Sequence, residues 1–227
     1  MCFSVSASFG AGIILSLVGV ATIRKTTSTS QIALAIFPFI FAVQQFAEGF
    51  VWLSVLNPDN PGWQSIPIYI FLICSHIVWP ILMPVCMLML EENATRKTVL
   101  WVLLSAGVLV GTYHAFLLLT YPVITRVDQH HIQYIIRQEP GMRILSNLLY
   151  AISAVLPSLV SGVKRMWWLG AFLFISYVAS YLFFKHYVIS VWCYFATFQC
   201  ILVYLVLKEM NKSEILRGRP LDGFFLK

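Results

Sequence analysis

The stretch FAVQQFAEGFVWL, residues 41–53, places Gln44, Gln45 and Glu48 inside a run apolar enough to cross a membrane. On a helix Gln44 and Glu48 are i,i+4 neighbours, so the amide can reach the carboxyl. An ionisable residue in lipid costs several kcal/mol and normally turns to the bundle interior to meet a partner. Glu48 therefore marks an interior polar site. His76 and His114 interrupt two further apolar runs, and His186 stands at the edge of another. Two chemistries fit these residue types. Glu48 with His76 forms an acid–base pair. Alternatively His76, His114 and His186 are ligands for a metal such as zinc, which takes three or four N, O or S donors at about 2.0–2.3 Å. No local spacing such as HxxxH is present, so a metal would have to draw its ligands from separate helices.

Other polar residues recur at helical spacing. His186, Ser190, Cys193 and Thr197 fall at +4, +7 and +11, one face of a helix. Ser146, Tyr150 and Ser153 form a second stripe, with Asn147 beside it. Gln44, Gln45, Asn147, Tyr150, Ser190 and Cys193 are accordingly the candidate ligand-binding residues. Of the five cysteines, four lie in apolar runs and no pair has a zinc-type spacing. Cys2 differs: removal of Met1 would leave an N-terminal thiol beside an amine, a potential nucleophile.

The elements that hold these residues are transmembrane helices. Only 11% of the 227 residues are charged and 59% are hydrophobic, against about 25% charged in soluble domains; the mean hydropathy is +0.83. The fold class is an all-α polytopic bundle. A crossing needs about 20 mostly apolar residues, and seven candidates are present: 6–23, 32–55, 66–90, 98–121, 143–163, 167–185 and 187–207. They become six if the last two form one bent element. The net charge of +6 comes from clusters between apolar runs, which reads as topology control and not as nucleic-acid binding. Arg24, Lys25, Arg96, Lys97, Lys164, Arg165 and the tail basics fall on one side, against Arg126, Arg137, Arg143 and Lys185 on the other. The positive-inside rule then puts the N-terminus out and the C-terminus in, with a transmembrane domain over 1–207 and a basic cytoplasmic tail over 208–227.

On that orientation the segment 122–142 lies outside, and its β-branched runs flanking DQHH predict a hairpin or lid; His130 and His131 sit at its turn. At about 1.5 Å per residue, Glu48 and His114 lie roughly 10 Å and His76 roughly 15 Å below the outer interface. The polar residues thus gather in the outer half. In SHIVWPILMP, Pro80 removes the N–H that would bond the His76 carbonyl, and Pro84 frees that of Pro80, so a kink is expected there. Gly107 and Gly111 form a GxxxG, a close-packing or dimer face. No lysine lies in the middle of the last crossing, which argues against a retinal Schiff base.

MCFSVSASF, FAVQQFAEGFVWL, HIVWP and SVWC (190–193) together resemble a family of small uncharacterised bacterial multi-spanning membrane proteins whose members begin with MCFS. The resemblance runs over most of the chain, implies the bacterial inner (cytoplasmic) membrane and implies no activity. A looser likeness is to the seven-helix superfamily of alkaline ceramidases and adiponectin receptors, zinc-dependent amide hydrolases with intramembrane Ser, Asp and three His. HYVIS in the last helix, with one His where that superfamily has paired histidines, departs from its pattern. Two functions remain open. The first is a metal-dependent or acid–base hydrolase of a lipid-like substrate. The second is a protein that binds, senses or transports a small ligand without catalysis. Expected partners are membrane lipids and a small-molecule or lipid-like ligand; the sequence fixes neither cofactor nor oligomeric state.

Overall fold

The computed structural model describes residues 4–56, 65–128, 131–184 and 188–216. Nine α-helices and one hairpin are seen among them: α1 Val5–Ile23, α2 Thr29–Ala35, α3 Phe37–Leu56, α4 Ser65–Ile73, α5 Trp79–Leu90, α6 Ala94–Thr120, β1 Ile124–Asp128, β2 His131–Ile135, α7 Pro140–Val160, α8 Met166–Phe183 and α9 Val188–Leu216. A π-helical turn, Cys74–Val78, joins α4 to α5. Seven helical spans are long and apolar enough to cross a membrane, with α2–α3 and α4–α5 each counting as one. The separation of α8 from α9 settles seven over six. Helices are what lipid allows, because every backbone N–H and C=O must be satisfied within the segment. Local signals set their ends. Ser4 accepts from the Ala7 N–H at 3.2 Å, Asn93 from the Arg96 N–H at 3.1 Å, and Pro140 begins α7 where a missing N–H is harmless.

One end of the bundle carries the basic residues and is stitched by polar contacts. Glu91 Oε1 accepts from the N–H groups of Glu92 and Asn93, and its Oε2 accepts from Gly162 at 2.6 Å. This ties the α5–α6 turn to the α7–α8 turn. Burial alone would raise the Glu91 carboxyl, but the Gly162 and Asn93 N–H groups, the Arg96 charge and the Glu92 N–H hold it below the ordinary 4.5. Asn211 of α9 bonds Gln31, Thr27 and the Lys25 carbonyl, and Glu209 pairs with Lys164 and Arg165 at 3.9 and 3.8 Å. The last helix therefore runs unbroken past Lys208 to Leu216, and the tail boundary placed at 208 falls inside it.

The other end carries the hairpin. Its strands pair antiparallel, with Ile124 opposite Ile135 and Val127 opposite Ile132. Ile132 is fully buried among Val51, Trp52, Phe71, Leu72, Leu118 and Cys193, and Tyr134 stacks on Phe71 with centroids 4.8 Å apart. The hairpin is thus wedged into the helix ends. A larger apolar core, built on Phe37, Phe41, Met83, Met87, Leu169 and Val203, fills the remainder of the bundle.

Candidate functional site

The site grows from the break in the α4–α5 span. In a π-turn each N–H pairs with the carbonyl five residues back, so the Trp79 N–H turns to Cys74. The next N–H, which would serve Ser75, belongs to Pro80 and does not exist. A side chain from a neighbouring helix repairs the loss. Tyr150 of α7 donates its hydroxyl to the Ser75 carbonyl. The His114 imidazole of α6 packs against His76, whose carbonyl Pro80 frees. Ser75 Oγ lies 2.8 Å from His76 Nδ1 and 3.3 Å from the Leu72 carbonyl. The His76 and His114 rings meet edge to face, 4.9 Å apart. Close approach of α6 makes this geometry: a Cβ on Gly107 would stand 2.0 Å from the Pro80 carbonyl oxygen. The GxxxG is therefore an intramolecular packing face.

Above this floor is a cavity of about 290 Å³. Ser75, His76, His114 and Tyr150 form its base, and Tyr177, Tyr181, Val188, Trp192 and Cys193 its wall. Gln133, Gln138, Arg143 and Asn147 form its rim, and Ile132, Tyr134, Ile135 and Ile136 complete its cover. Arg143 places positive charge at the mouth. His114 is only 3% exposed, and its Nδ1 has no hydrogen-bond partner. A neutral imidazole has one donor and one acceptor nitrogen, and Nδ1, in either role, has no counterpart within the described residues.

The expected site residues divide into two groups. His76, His114, Asn147, Tyr150 and Cys193 line the cavity. Gln44, Gln45 and Glu48 are buried behind it on α3 and are not among its lining. Both ends of the Gln44 amide are engaged: Oε1 accepts from Trp79 Nε1 at 3.0 Å, and Nε2 donates to Cys193 Sγ at 2.8 Å. Glu48 lies near enough to Cys193 to interact with it electrostatically. Ser190 stands in the first turn of α9. His186, Cys2 and His130 lie outside the described residues. His131, on β2, has its ring 5.6 Å from Phe184. Among the described residues no three His, Cys, Asp or Glu side chains are grouped to hold a metal.

Sequence reading passed over Ser75, Arg143, Tyr177 and Trp192. Ser75 had a signal, since it lies five residues before Pro80 and so loses its carbonyl partner once the turn widens to π. Arg143 had another: with Asn147 and Tyr150 it makes an i, i+4, i+7 stripe on α7, although its charge suggested topology alone.

The profile described as "Family of unknown function (DUF6629)" matches residues 1–217. The chain belongs to the DUF6629 family. The family-wide match covers all seven spans and the hairpin, so the cavity is built entirely from the part shared with the family description. No curated protein and no solved structure matches the chain. This DUF6629 protein is a multi-pass membrane protein.

Proposed function

We propose that this DUF6629 protein is a small-ligand-binding protein of the bacterial inner membrane, with its hairpin end outside, and that the His76–His114–Tyr150 cavity is the binding site. The observation that carries this is the partnerless Nδ1 of His114. A buried polar atom left unsatisfied costs about 1–3 kcal/mol, and buried acceptors in native proteins are almost always paired. A ligand bearing an N–H or O–H would restore that loss, while Arg143 at the rim favours an anionic group on the same molecule. Catalysis by Glu48 draws less support, because Glu48 does not line the cavity. The likeness to the ceramidase superfamily adds nothing, since shared architecture does not carry function.

The test is native mass spectrometry of protein taken from its own membranes. Wild type should retain a non-covalent small molecule that folded His114→Phe loses. Equal retention, or none in the wild type, would sink the proposal.

One contact favours a second reading, hydrolysis. Ser75 Oγ at 2.8 Å from His76 Nδ1 is within the reach a general base needs to activate a hydroxyl nucleophile. A fluorophosphonate probe would then label Ser75 in wild type and not in His76→Ala; no labelling in either ends that reading. A zinc ion held by His76, His114 and His186 would instead appear as one equivalent by elemental analysis, lost in His76→Ala.

A further inference from the structure

The exposure of the cavity lining is uneven, and the unevenness suggests how a ligand arrives. On the side facing water, strand β2 covers the cavity: Ile132 is fully buried, and Tyr134 is anchored by its stack on Phe71. Three lining residues are exposed: Arg143 at the rim and, on the side facing lipid, Asn147 of α7 and Tyr181 of α8, the last at 49%. The latter two lie in membrane-spanning helices, and apolar side chains that meet lipid flank them: Ile144 and Leu148 at 71% and 56%, and Leu182 at 69%. An exposed Asn among such neighbours has no place in a sealed lipid-facing surface. The two helices pack tightly at the basic end, where a Cβ on Gly170 would stand 2.6 Å from Leu159. Toward the hairpin end the cavity lies between them instead.

We infer that the cavity opens sideways to the outer half of the bilayer through the α7–α8 seam, and that its ligand is a glycerophospholipid whose head carries a hydrogen-bond donor. This rests on the binding function proposed above. A cavity of about 290 Å³ is at the lower limit of ligand pockets, about 300–1,000 Å³. It holds a headgroup, and the acyl chains stay in the seam. The donor of the head meets His114 Nδ1, the phosphate meets Arg143, and the tyrosines of α8 line the boundary between the polar cavity and the chains, where amphipathic rings suit both.

Phosphatidylethanolamine and phosphatidylcholine with identical chains separate the idea cleanly, because the choline head has no N–H to donate. The full-length protein in phosphatidylcholine nanodiscs doped with phosphatidylethanolamine should, by native mass spectrometry, retain the ethanolamine lipid about tenfold over its share, equivalent to about 1.4 kcal/mol. His114→Phe should erase the preference. Leu148→Trp and Leu182→Trp, which add bulk beside the seam at exposed positions outside the cavity lining, should also erase it but leave binding of water-soluble glycerophosphoethanolamine intact. Undiminished lipid retention in both plugged variants would overturn lateral entry while leaving the binding function standing. Equal retention of the two lipids, unaffected by His114→Phe, would overturn the ligand class; the binding function falls only if protein from its own membranes also carries no His114-dependent small molecule.

Discussion

At the scale of single residues, the site consists of hydrogen bonds that stand in for a missing backbone ladder. Tyr150 is the clearest case, because its hydroxyl serves the Ser75 carbonyl. Tyr150→Phe removes that donor and leaves a buried acceptor, so thermal denaturation in detergent should show a loss of about 1–3 kcal/mol. Gly107 makes a complementary prediction. Its added Cβ would overlap the Pro80 carbonyl, and Gly107→Ala should destabilise by about 1–3 kcal/mol through overpacking. Gly10→Ala, where nothing lies within 4 Å of the added carbon, is the matched control and should stay close to wild type. The sequence spoke unevenly at this scale. Glu48, chosen for its cost in lipid, is interior as that cost demands. Its depth alone could not tell that it would stay out of the cavity lining. Ser75, a small polar residue of the commonest kind, gained its importance only from the carbonyl it lost.

At the scale of elements, two devices give the bundle its shape: the π-turn and the clasp at the basic end. Pro80→Ala would restore an N–H and remove the reason for the widened turn. Backbone amides from Cys74 to Ile81 should then gain hydrogen-exchange protection, and the Tyr150 dependence of stability should shrink. Unchanged exchange would mean that packing, not proline, sets the turn. The clasp gives a pH prediction. Glu91 is held below its ordinary carboxyl value, so its contribution to stability is complete above about 4.5 and is lost as pH falls through the lower folded value. Thermal stability of the wild type should fall over that acidic window relative to its neutral value, and Glu91→Gln should be less stable at neutral pH and flatter in acid. The kink was legible because proline chemistry is local. The clasp was not, because Glu91 and Gly162 are brought together only by the antiparallel return of α7.

At the scale of the whole molecule, the asymmetry of charge and the position of the hairpin agree on two distinct ends. Arg126→Cys, exposed on β1, should react with a membrane-impermeant maleimide in intact cells, whereas Lys97→Cys, exposed on α6, should react only after permeabilisation. The reverse pattern would invert the bundle and place the cavity toward the cytoplasm. The latch of Asn211 onto Gln31, Thr27 and Lys25 ties the last turns of α9 to the α1–α2 junction. Its partners lie some 180 residues apart in sequence, so no local pattern announced it.

By itself the sequence determined the helical class, the seven spans and the distinction between the two ends, because lipid enforces internal backbone bonding and long apolar runs, and these constraints act locally along the chain. It also drew the polar residues into one half of the bundle, since depth follows from counting residues. The tertiary structure alone decided which of them share a cavity. In helices apolar on nearly every face, periodicity does not say which face meets which neighbour; the π-turn and the close approach of α6 at Gly107 set those rotations. They brought His76, His114 and Tyr150 together with Ser75 and left Glu48 out of the cavity lining.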